Sequence, residues 1–119
     1  MKNWLLLCVF TLGTAAVFAQ QNGNKKLEKR GDFISATVYY ENGSIHQKGF
    51  YNEAGLPQGT WTSYNMEGNK TVVAQYDNGI KVGTWFFYNE DVLKEVTYTD
   101  NKVSQIVTWK DSEKYLVSY

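Results

Sequence analysis

His46 is the only histidine in the chain and Cys8 the only cysteine, so any imidazole or thiol chemistry would have to be built around them. A single imidazole needs a partner before it can activate a nucleophile or share a metal ion. His46 lies in Ser44-Ile45-His46-Gln47-Lys48. Neither Ser44 nor Asp32 nearby makes a nucleophile elbow or a triad order with it, so it reads as a surface residue of a strand. Carboxylate pairs occur at Glu90-Asp91 and at Asp111 and Glu113, in segments that read as turns. A glycosidase needs its two acids roughly 5–10 Å apart across a cleft, and a shallow sheet makes no cleft. The glycines sit among turn residues and not at the start of a helix, where a phosphate loop would place them. Asp77-Asn78-Gly79 lacks the remaining ligands of a calcium loop. These residues predict no enzyme, no cofactor and no metal site.

The chemistry the sequence does emphasise is aromatic. Four Trp, nine Tyr and six Phe stand with ten Gly and a single Pro in 119 residues. Tyr and Trp pair a flat apolar face with a polar handle, which suits protein contacts and sugar rings alike. Positioning them falls to strands, because aromatic residues favour strands and Gly punctuates turns. The length allows one small domain. Lys and Arg number 12 against 12 Asp and Glu, so no basic stripe points to nucleic acid.

The chain opens with Met-Lys-Asn and an apolar run from Trp4 to Phe18, closing on Val17-Phe18-Ala19. A basic start, a short apolar centre and small residues before the cut predict a signal peptide over residues 1–19. Leu7 before Cys8 is too bulky for a lipoprotein site, and most of the apolar run follows the Cys. The predicted location is therefore periplasmic or extracellular, with no transmembrane segment in the mature chain. Cleavage would remove Cys8 and leave a fold without disulfides. Residues 20–33, with Lys25, Lys26, Lys29 and Arg30, read as a basic flexible linker. The repeat domain is placed at 34–119. Strands such as Gly59–Met66 lack the uniformly apolar face that a membrane barrel requires.

From residue 31 onward no helical periodicity appears. Short β-branched and aromatic runs alternate with Gly/Asn/Asp clusters at the rhythm of a meander. Gly59-Thr60-Trp61-Thr62-Ser63-Tyr64 recurs 24 residues later as Gly83-Thr84-Trp85-Phe86-Phe87-Tyr88, and Trp109 stands another 24 on. Intervening strands end in Gly49-Phe50-Tyr51, Ala74-Gln75-Tyr76 and Val96-Thr97-Tyr98. Such a period signals stacked supersecondary units. The prediction is all-β: stacked β-hairpins forming one antiparallel meander of about eight strands. Gly43 and Gly79, each after Asn, mark tight turns, and Gly59 and Gly83 define the repeat.

The segments Tyr40–Gly43, Gly49–Tyr51, Gly59–Trp61 and Asp77–Trp85 resemble the bacterial variant of MORN repeats over roughly residues 34–110. The third unit departs, with Asn101-Lys102 in place of Asn-Gly and Val107 in place of the Gly before Trp109. The resemblance implies stacked hairpins with binding or scaffolding roles, and some relatives are labelled antitoxin components. Alternation places Trp61, Trp85 and Trp109 on one face and Tyr64 and Tyr88 on the other. Trp85 and Tyr88, in the central unit, are expected to be most buried, and Trp109 more exposed. The aromatic face is read either as structural glue or as the contact surface of a non-catalytic module. Its expected partner is a protein. The alternatives are an envelope glycan, or a toxin in an antitoxin-like or immunity pairing.

Overall fold

The computed structural model describes residues 19–22, 24–110 and 113–118, with side chains described for 24–110. The predicted leader falls outside them except for Ala19. Eleven strands form one sheet: β1 Ala19–Asn22, β2 Lys25–Arg30, β3 Phe33–Tyr39, β4 Ile45–Tyr51, β5 Pro57–Tyr64, β6 Lys70–Asp77, β7 Ile80–Lys81, β8 Gly83–Asn89, β9 Val92–Thr99, β10 Lys102–Lys110 and β11 Glu113–Ser118. All neighbours are antiparallel and follow chain order, with the two-residue β7 pairing beside β6. The all-β meander is as expected, and the eight longer strands from Phe33 onward match the count.

The expected linker is different. Lys25–Arg30 is a strand, paired to β3 along its whole length. Its alternation was masked by charge: Leu27 turns inward opposite Ala36, while Lys26, Glu28 and Arg30 stand on the other side and pair at 3.6–3.7 Å. Lysine stems cover apolar surface while their ammonium groups stay in water.

The turns are of two kinds. Asn78-Gly79 is the tight two-residue turn expected, both residues at positive φ. Asn42-Gly43 instead belongs to a longer loop, in which Tyr40 N–H donates to the Ser44 carbonyl and Gly43 N–H to the Tyr40 carbonyl. The same pair of bonds closes Asn52–Leu56 and Asn65–Asn69.

The core cluster occupies one face of the sheet, called here the first face, while Val107, also buried, pairs Glu95 on the other. The cluster's buried members are Ala36, Trp61, Ala74, Trp85 and Val96, rimmed by Leu27, Tyr51, Val72, Tyr76, Phe87, Tyr98 and Ile106. Small residues lie beneath the large rings. A Cβ on Gly49 would fall 2.1 Å from Trp61 Cδ2, so the indole lies directly on the Gly49 backbone.

Irregular register makes this possible. Between the pairs Lys48↔Thr62 and Phe50↔Gln58, the single residue Gly49 faces three on β5. Between Val73↔Phe86 and Tyr76↔Lys81, two residues of β6 face four, Val82 and the first three of β8. Gly59 (φ 77°) and Gly83 (φ 67°) stand within these expansions, in a conformation that costs other residues about 1–2 kcal/mol. An excess of two residues leaves the inward set inward. In β10 the excess is one: Val103 pairs Tyr98, Gln105 pairs Thr97, and Ser104 between them has no partner. A one-residue slip sends the side chains that follow to the other face.

Candidate interaction face

Trp61 and Trp85 share the first face and are 6 % and 7 % exposed. The Trp61 Nε1–H donates to the Phe50 carbonyl and the Trp85 Nε1–H to the Gln75 carbonyl, both at 3.0 Å. Each acceptor directly follows the small residue of its unit, Gly49 or Ala74. Tyr51 meets Trp61 edge-on at 5.0 Å, and Tyr76 meets Trp85 the same way at 5.2 Å. Tyr98 closes the other side of Trp85 at 5.0 Å. Burial first, and the Tyr98 phenol second, push the Tyr76 hydroxyl above the ordinary phenol range. Lys25 Nζ lies 5.7 Å from the Tyr51 ring centre, and Lys81 Nζ lies 5.2 Å and 5.3 Å from Trp85 and Tyr98.

Trp109 does not join this row. It pairs Leu93, which pairs Tyr88, so Trp109 stands on the second face with Tyr88, with β9 between their strands. There its indole N–H donates to a Glu95 carboxylate oxygen. The one-residue excess at Ser104 is the cause, and no 24-residue count reveals it. Tyr88 also departs from expectation. It is 40 % exposed, because the second face carries no covering layer among the described residues, and its ring stacks on Phe86 at 6.4 Å. Tyr64, on the same face, lies under Lys48 Nζ at 5.7 Å. The Tyr40 hydroxyl donates to the Tyr64 carbonyl at 2.6 Å. The two tyrosines therefore share a face without forming a continuous row.

The feature that spacing arguments missed is a groove. On the first face over β8, β9 and β10 an open apolar trough of about 500 Å³ is lined by Phe87, Val92, Val96, Tyr98, Val103 and Ile106, with Asn89 and Lys94 its polar members. Val96 stands there in the slot that Gly49 and Ala74 hold in the earlier units, and no indole covers it. The Thr97 carbonyl, which corresponds to the acceptors of the two indoles, instead accepts the Ser104 hydroxyl at 3.1 Å. A visible signal was Val107 in place of Gly: without that glycine the two-residue expansion does not recur.

His46 is exposed and stacks on Tyr40 at 4.4 Å. Among the described residues no three His, Cys, Asp or Glu side chains are grouped to hold a metal ion. No helix among them is long and apolar enough to cross a membrane. No family model matches the chain, and neither does any curated protein.

Proposed function

We propose that the protein is an exported, non-catalytic repeat module that binds another protein through the aromatic surface of its sheet. Its residue pattern resembles MORN repeats, and its consecutive stacked hairpins support that resemblance. One observation carries the reading: a single sheet, with no second layer among the described residues, leaves Phe33 (43 %), Phe50 (43 %), Tyr88 (40 %) and Val103 (37 %) exposed. Apolar surface of this kind marks interaction sites. Trp61 and Trp85 serve as structure, and contact falls to the rings and aliphatic groups around them.

The test is site-specific photocrosslinking in the producing cell. A photoreactive phenylalanine analogue replaces Tyr88 on the second face or Val103 on the first, in separate variants. A discrete adduct that protease removes and glycosidase leaves intact is expected from at least one position. Adducts sensitive only to glycosidase would transfer the reading to a glycan. No adduct from either position would end it. Cell fractionation with N-terminal sequencing tests export: mature protein starting at Gln20 is expected, and an intact Met1 on a membrane-bound species would overturn cleavage.

A further inference from the structure

We infer that the groove over β8–β10 is a docking slot for a tryptophan-sized side chain flanked by carboxylates, presented by an acidic segment of a protein partner. The inference rests on the protein-binding reading above and assigns it to one place.

The slot's shape follows from the repeat itself. In two units a tryptophan from the next strand donates to the carbonyl that follows a small residue, and a tyrosine meets its ring edge-on. In the third, the Ser104 irregularity has sent Trp109 to the opposite face. The walls Phe87, Tyr98 and Ile106 remain, and β10 contributes Val103 and Ile106 to the trough but no indole. Val96 raises its floor above the level at Gly49, so a ring enters from outside rather than folding back from the chain.

Charge selects the occupant. Register places Lys25, Lys29, Lys81, Lys94 and Lys110 on the first face. The strand carboxylates Glu28, Asp77 and Glu95 all stand on the second face. Glu113 lies opposite Lys110 in the register and offsets that cation, which leaves Lys94 and Lys81 as the cations at the groove. Lys94 lines it, and Lys81 sits over Tyr98 at its wall. An apolar trough with Lys94 along it and Lys81 at its wall, and with acids only in the Glu90-Asp91 turn at its Asn89–Val92 end, favours a partner that brings an apolar ring and negative charge together. Lysine also lies over aromatic faces readily, so Lys81 would contact both the ring's neighbours and a carboxylate.

The probes are three blocked tripeptides, acetyl-Glu-Trp-Glu-amide, acetyl-Gln-Trp-Gln-amide and acetyl-Glu-Ala-Glu-amide, titrated into the purified protein and followed by amide chemical shifts. The first is expected to perturb residues 94–98 and 103–106 saturably. The Gln peptide should bind about threefold more weakly, since an exposed ion pair is worth only a few tenths to one kcal/mol, and the Ala peptide should not bind measurably. Lys94→Gln should remove the preference for Glu over Gln while leaving the Gln peptide's affinity unchanged, which a merely unfolded variant could not do. Val103→Glu, at an exposed position on the rim, should abolish binding of the Glu peptide with the spectrum otherwise intact. Equal affinities for all three peptides, or shifts confined to other strands, would overturn the slot. So would concentration-dependent shifts of the same residues without peptide, which would identify a second copy as the occupant. Cosedimentation with phosphatidylglycerol vesicles in place of peptide binding would do the same. Failure here, together with a protein adduct at position 88, removes the slot and leaves the protein-binding module standing.

Discussion

At the scale of single residues, stability concentrates where an indole rests on a backbone. Gly49 has an ordinary φ, so a Cβ there is objectionable only because Trp61 occupies its place. Gly49→Ala should displace the ring and break its bond to the Phe50 carbonyl. The expected cost is about 2–4 kcal/mol, from overpacking and one lost hydrogen bond, read from urea midpoints. Trp85→Ala removes the ring with the most aromatic neighbours and should cost about 3–5 kcal/mol. Trp109→Ala removes a half-buried ring on the other face and should cost nearer 1 kcal/mol; equal losses in the two melts would contradict the face assignment. Tyr76 supplies a pH signature. Its phenol is held protonated above the ordinary value of 10.0 by burial and by Tyr98. Its contribution to stability is therefore complete below 10.0 and is lost as the pH climbs through the raised folded value. Tyr76→Phe should flatten that alkaline decline in a series of urea melts taken above pH 9.

At the scale of elements, the turns and register shifts divide the work. Asn65 accepts from Glu67 N–H and Asn69 N–H inside its own loop. Asn52 makes the corresponding bonds to Ala54 and Leu56 and adds one from its Nδ2 to Asn78 in the neighbouring turn. Asn52→Ala should therefore destabilise more than Asn65→Ala, by about 0.5–1 kcal/mol, the net value of one hydrogen bond; denaturant midpoints of the two variants decide it. Legibility in the sequence followed the same division. The eight longer strands from β3 onward showed as short β-branched and aromatic runs, and Asn78-Gly79 announced its turn, because these signals are local; the two-residue β7 did not show. The partition of the tryptophans did not show. One surplus residue at Ser104 leaves no mark in composition, yet it reverses every side chain beyond it. Lys25–Arg30 hid for another reason: a strand whose single apolar residue is Leu27 looks like solvated chain until a neighbour supplies its ladder of backbone bonds.

At the scale of the molecule, the sheet is long and thin, 63 × 33 × 26 Å, with a radius of gyration of 18.6 Å, where a compact chain of this length would have about 13–14 Å. Each strand pairs only with its neighbours in the sheet order, so stability is largely a sum of local terms and terminal units can be lost singly. Removing residues 1–30 should lower the melting temperature, since Leu27 leaves the core rim, while far-ultraviolet circular dichroism keeps its strand signature; collapse of that signature would show that the array is one cooperative block. The two-residue expansions at Gly59 and Gly83 have a further bearing on how long such an array can be. Each step hands on to the next only if the surplus residues come in an even number, so that the next indole returns to the first face. The single surplus residue at Ser104 breaks that condition. A tandem copy of the stretch headed by Gly83 would extend the row by another step, whereas one built on β10 would not, so array length is written in the parity of a bulge.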